Sequence, residues 1–152
     1  MNNYSAMMDA HIANAERAYT RQEKVRPPAD PFNALIMPTY RTFRWAVARN
    51  DVGHLQLMTV LALHAFHLKQ GRYPATLNEL VPEYLQRVPV DPFDDGAPLH
   101  YRRRDDKYAL WSIGPDGVDN GGVPIDDGSK EKNRRYVVLP DGKGDIVAGI
   151  NR

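Results

Sequence analysis

Three features of the 152-residue sequence predict an α+β fold in which one long helix packs on a small antiparallel sheet. Glycine is almost absent before residue 70, whereas ten of the eleven glycines and most of the prolines follow it. Upstream, apolar residues recur at three- and four-residue steps, the period of an amphipathic helix. Downstream, they gather in short runs with strand character, bounded by turn residues. A hydrophobic content of 42% is enough for a real core. The formal charge of +1 provides no large field to draw nucleic acid or a membrane surface. With no cysteine, the chain has no disulfide, thiolate metal site or cysteine nucleophile.

Residues 1–31 read as a helical arm and linker. Met8, Ile12, Ala15 and Tyr19 form one thin apolar stripe, and no apolar run of the kind a secretory signal requires lies among them. The run Arg26-Pro27-Pro28-Ala29-Asp30-Pro31 ends the arm, because proline lacks an amide donor and restricts the residue before it. Asp30-Pro31 starts a short helix, and Pro38 either limits that helix or opens the following one. Residues 32–152 form the main domain, with a spine-type helix over 39–70, a loop and short helix over 71–98, and a sheet with an acidic loop over 99–152.

In the long helix, with a bend expected at Gly53, Tyr40, Phe43, Val47, Leu57, Leu61 and Leu68 share a face interrupted by Asn50, His54 and His64. Its polar strip is confined to Gln56, Thr59, His67 and Gln70, so the helix is expected to be enclosed on several sides. Tyr40, Phe43 and Phe66 are read as core. Trp45 lies off the apolar line and is a candidate for a partner surface. The uncharged stretch Leu55–Leu68 has 14 residues, short of the roughly 18 that a membrane span needs.

Gly71 stops the helix. Thr76 and Glu79 make a T-x-x-E capping box for a short helix that buries Leu77, Leu80 and Val81. Leu99–Arg103 and Tyr108–Ile113 read as antiparallel strands joined across Arg104–Lys107. Arg135–Leu139 and Asp145–Ile150 form a second candidate hairpin around Asp141-Gly142. Tyr73 and Phe93, each beside a proline, are expected to clamp the loop between helix and sheet.

The string L-A-L-x-A-F-x-x-K-Q-G-R-Y-P-A-T-L-N-E-L from Leu61, then P-x-Y-L and V-P-x-D-P-F, resembles the junction of spine helix and head in type II secretion pseudopilins. Tyr108-x-Leu110-x-Ser112-x-Gly114-Pro115-Asp116-Gly117, followed by Asp119-Asn120-Gly121-Gly122, is similar to the strand and calcium loop of that head. The likeness spans about residues 55–128. It implies a non-catalytic structural subunit on the extracytoplasmic side, with protein subunits of an assembly as partners. The family's leader and apolar anchor helix have no counterpart in residues 1–54, so the head is expected to serve either a secretion filament or another membrane-associated complex as an accessory subunit. A glycan- or solute-binding module using the aromatics is a third reading.

Calcium takes several hard oxygen donors on a glycine-permissive loop. Ser112–Asp127 supplies carboxylates at Asp116, Asp119, Asp126 and Asp127, with Asn120 and Ser112 beside them. The spacing is not that of an EF-hand. The resemblance implies Ca²⁺ held by the Ile113 carbonyl and the Asp116 carboxylate, with later ligands from Asp119, Asp126 or Asp127. The competing reading is an exposed loop whose aspartates serve turns.

Other constellations read as structural. His64 and His67 lack an acidic helix partner for a metal and are expected in the core or an interface. Arg102-Arg103-Arg104 is followed by Asp105 and Asp106 and reads as a solvated sheet edge rather than a nucleic-acid patch. Ser112 sits in S-I-G-P, not in a nucleophile elbow, and no phosphate-binding glycine motif is present, so no enzyme activity is expected.

Overall fold

The computed structural model describes residues 9–10, 12–13, 17, 19–21, 31–125, 140 and 142–150, with the backbone alone for 21, 31–42 and 149–150. The architecture is α+β. One long helix, α1 (Pro31–Gln70), lies on a three-stranded antiparallel sheet ordered β1 (His100–Arg104), β2 (Lys107–Ser112), β3 (Ile146–Ile150). Helix α1 runs through Pro38 rather than stopping there. Pro38 is the eighth residue of the helix, where it has no amide to donate to the carbonyl four residues back.

The larger correction concerns the face that α1 buries. Trp45, Val52, Leu63 and Phe66 turn inward with Ala48 and Ala62. Two members of the expected polar strip turn inward with them, Gln56 at 5% exposure and Thr59 at 0%, while His67 is half-buried and Gln70 exposed. Each inward polar group has an acceptor there: Gln56 Nε2–H donates to the Ile146 carbonyl of β3, and the Thr59 hydroxyl to the Leu55 carbonyl. A buried amide or hydroxyl is tolerable only with such a partner. The apolar line points outward instead, with Phe43 at 64% exposure and Leu57 and Leu61 at 56%.

Trp45 is a core residue, not a partner-surface residue. Its ring lies 5.6 Å from Tyr19 and 5.9 Å from Phe93, and the Tyr19–Phe93 pair closes the triangle at 5.3 Å. Such tilted and edge-on pairs contribute roughly 0.5–1.5 kcal/mol each beyond burial. Tyr19 arrives from a 3₁₀ turn, Tyr19–Arg21, whose Tyr19 N–H and Thr20 hydroxyl donate to the Pro92 and Phe93 carbonyls. Residues 9–10 and 12–13 are helical, and Ile12 is exposed. Met8 and Ala15 of the predicted arm lie outside the described residues.

The capping box forms as predicted. It opens a 3₁₀ helix, Leu77–Leu80, that buries Leu77 and Leu80 and leaves Val81 half-buried. The Glu79 carboxylate accepts the Ala75 and Thr76 amides and pairs with Arg72. Tyr73 and Phe93 are buried on either side of this segment, at 3% and 0% exposure.

Strands β1 and β2 pair from His100↔Trp111 to Arg104↔Lys107 across a tight turn at Asp105-Asp106. Asp105 has φ 51°, a left-handed value that Asp tolerates better than most residues. Side chains alternate along β2. Tyr108, Leu110 and Ser112 share one face, and Trp111 takes the other. The arginines of β1 are exposed on the sheet edge, as expected. Strand β3 pairs with β2, whereas its predicted partner Arg135–Leu139 lies outside the described residues. Among the described residues no helix is long and apolar enough to cross a membrane.

Candidate functional site

Strand β2 runs directly into the Asp/Gly loop, so its last residues fix where the loop begins. Ser112 and Ile113 are buried and bound to a carboxylate that sequence reasoning passed over, Asp91 of Asp91-Pro92-Phe93. Asp91 Oδ1 accepts the Phe93 amide at 2.9 Å and the Ser112 hydroxyl at 2.7 Å, and Oδ2 accepts the Ile113 amide at 3.0 Å. Asp91 is 1% exposed, and burial pushes its carboxyl above the ordinary range despite those three donors.

Beyond Ile113 the chain turns at Gly114, whose φ is 71°. A Cβ there would stand 2.6 Å from the Gly144 carbonyl oxygen, so only glycine fits this approach. The loop then closes on itself through carboxylate–amide bonds. Asp116 accepts the Val118 amide on Oδ1 and the Gly144 amide on Oδ2. Asp145, the second residue the sequence reading missed, accepts the Asn120 amide at 3.1 Å and the Gly122 amide at 2.6 Å. Its backbone joins Val123 and Ile125 in a short parallel bridge. An acid set between a glycine and an apolar strand start was the available signal, but nothing local says that it reaches back more than twenty residues.

Asp119 anchors the loop to the far face of the sheet. Its Oδ1 accepts the Trp111 indole N–H at 2.9 Å and the Gly121 amide at 2.8 Å, and its Oδ2 lies 3.3 Å from His100 Nδ1. His100 stacks on Trp111 at 5.5 Å, and the Arg102 guanidinium lies over the same indole at 5.3 Å. Partial burial pulls Asp119 upward. The Gly121 and Trp111 donors, with the charges of His100 and Arg102, outweigh it and hold the carboxyl below its ordinary value. Asp145 moves the other way: burial raises it, and the nearby charge of Asp119 adds to the rise.

The predicted ligands therefore divide. Ile113 is buried against Asp91, Asp116 faces Gly144, and Asp119 faces Trp111 and His100, while Asp126 and Asp127 lie outside the described residues. Among the described residues, no group of three acidic or imidazole side chains is placed to hold a metal ion. The donors that are present are all oxygens, the type that calcium takes.

His64 is exposed and edge-on to Tyr73 and Tyr108, and His67 packs on Tyr73 at 4.4 Å. A separate cleft of about 460 Å³ between α1 and the Asp91–Gly96 turn is lined by Arg44 and Asp51 together with Asp94 and Asp95. Its charges of both signs select no single ligand class. Comparison with known proteins finds no matching family model, curated protein or solved structure.

Proposed function

We propose that this chain is a non-catalytic structural subunit that binds other protein subunits on the extracytoplasmic side, like the head of a type II secretion pseudopilin, with calcium stabilising its acidic loop. The observation that carries this reading is the outer face of α1, where Phe43, Leu57, Met58, Leu61 and Leu68 stand between 56% and 87% exposed. A contiguous exposed apolar stripe of this extent is the kind of surface that a protein contact uses. By contrast, Tyr73, Phe93, Tyr108 and Trp111, the aromatics a glycan module would offer, are buried.

The calcium part rests on the like charges of Asp119, in the loop, and Asp145, the residue before β3, which the fold brings near each other. A divalent cation relieves that repulsion and pre-organises the surface the loop presents. Calcium binding should raise the melting temperature at millimolar Ca²⁺, since a ligand of the native state at 100 times its Kd stabilises by about 2.7 kcal/mol. No shift, by melting or titration calorimetry, rejects calcium. For the subunit reading, affinity capture from native membranes should recover defined partner subunits in fixed stoichiometry, and Leu61→Glu should abolish it. Recovery of secretion-system subunits supports the filament role, and recovery of a different complex supports the accessory-subunit alternative. Capture of no stoichiometric partner rejects both.

A further inference from the structure

Asn120 is the one asparagine of the sequence that precedes a glycine. The pair matters because a glycine amide, unshielded by a Cβ, is the backbone nitrogen best able to reach the side-chain carbonyl of the residue before it. The structure leaves room for that approach. Asn120 is exposed in the Asp/Gly loop, and Gly121 has φ 70°. Among the described residues nothing lies within 4 Å of the place a Gly121 Cβ would take.

The chemistry open to such a pair needs only water. The Gly121 nitrogen attacks Asn120 Cγ, so that an N–Cγ bond forms while the Cγ–Nδ2 bond breaks. Ammonia leaves with the proton that Gly121 gives up, and a cyclic succinimide remains. Water then opens the ring on either side. Breaking the N–Cγ bond leaves aspartate at position 120. Breaking the bond from nitrogen to the backbone carbonyl carbon leaves isoaspartate, whose main chain runs through Cβ and Cγ. The lost ammonia makes the change one-way.

In the closed loop every group the reaction uses is held. The Gly121 N–H donates to Asp119 Oδ1 at 2.8 Å, and its carbonyl accepts the Arg102 guanidinium at 3.2 Å. The Asn120 side-chain amide donates to the Val118 carbonyl at 2.8 Å. Asp145 holds the amides on either side, those of Asn120 and Gly122.

Asp119 has the largest influence of these. To become a nucleophile the Gly121 nitrogen must give up its proton, and its negative charge would then arise beside a carboxylate. Like charges at that distance oppose the ionisation. Asp119 is in turn fixed to the sheet by the Trp111 indole N–H and His100. Cyclisation therefore waits for the loop to leave the sheet, a local opening that costs less than global unfolding.

We propose that Asn120-Gly121 is a self-deamidation site, kept unreactive while Asp119 anchors the loop and released when the loop opens. Either product adds a negative charge to a loop that already carries Asp116 and Asp119. Isoaspartate also lengthens the main chain between the two amides that Asp145 holds, so the pair no longer matches one carboxylate. The reaction turns a transient opening into a lasting one. It depends on neither the subunit reading nor calcium.

The test ages the purified chain in mildly alkaline buffer and follows the peptide carrying Asn120 by mass spectrometry. Enzymatic methylation of the isoaspartyl carboxyl distinguishes the two products. In urea-unfolded chain Asn120 should convert to both, and in folded chain the conversion should be slower by about tenfold or more. Asp119→Ala should bring the folded rate most of the way to the unfolded one while the melt stays cooperative. Asp119→Asn keeps an acceptor for the Gly121 N–H without the charge and should fall between. Trp111→Phe, which removes the indole donor, serves as the second variant should Asp119→Ala not fold. Aged chain separated by ion exchange should melt below unaged chain. Equal rates in folded and unfolded chain, an Asn120 that stays intact in urea, or a folded rate unmoved by loss of the anchor would each overturn the proposal. An aged chain with an unchanged melt would overturn the lasting opening.

Discussion

Leu61 and Leu63 lie two residues apart on α1 and have opposite environments: one is 56% exposed, the other fully buried. Gln56 and Leu57 are adjacent and show the same inversion, with the amide inside and the leucine outside. The comparison shows that apolar character alone does not choose the buried face of a helix that is apolar around most of its circumference. The choice follows what each face can meet. The inner line has aromatic and aliphatic partners in Phe93, Leu80 and Leu110, and its polar members find carbonyl acceptors in β3 and in the preceding helical turn. The outer line has no comparable set among the described residues.

The strongest test of this contrast truncates one leucine on each face. Leu63→Ala should destabilise by about 2–5 kcal/mol, because it opens a cavity in a closed core. Leu61→Ala, measured at a concentration where the chain is monomeric, should stay within about 0.5 kcal/mol. Equal losses in denaturant melts would mean that the two faces are not distinct.

Next in size is Asp91, the carboxylate that ties β2 to the turn under the inner face. Asp91→Ala leaves three buried donors without a partner and should cost about 1–3 kcal/mol. Its pH dependence has a definite sign. The folded carboxyl titrates above its ordinary value of 3.8, so the native state holds this proton more tightly than the unfolded chain does. The associated stability is complete below that value and is lost as pH rises through the raised pKa. Relative to Asp91→Asn, the wild type should therefore lose melting temperature as pH rises above 3.8 and through the raised value. A gap that widens in favour of wild type over that range contradicts the assignment.

Smaller effects sharpen the comparison within the inner face itself. Gln56→Leu strips the Ile146 carbonyl of its donor and should cost on the order of 1 kcal/mol, with faster amide exchange along β3 as the local signature. Thr59→Val should be smaller still. The hydroxyl bonds only to its own helix, and the Leu55 carbonyl retains its helical amide. If Thr59→Val proved the costlier of the two, the hydroxyl would have to serve a contact beyond the helix.

Local pattern was enough for several parts of this protein. The spacing of the capping box placed Leu77–Leu80, and the turn chemistry at Asp105-Asp106 placed the β1–β2 hairpin to within a residue of its ends. The Asp/Gly composition marked the loop after Ser112. These features are carried by contacts a few residues long, and sequence reports such contacts directly. The rest depended on distant partners. Asp91 acts on residues more than twenty positions away, Asp145 does the same in the opposite direction, and Trp45 is buried by Tyr19 and Phe93 from two other segments. The face of α1 that turns inward belongs to the same class. Periodicity in the sequence drew two stripes on one helix, and only packing against the sheet, with acceptors waiting for Gln56 and Thr59, decided which of them would be core.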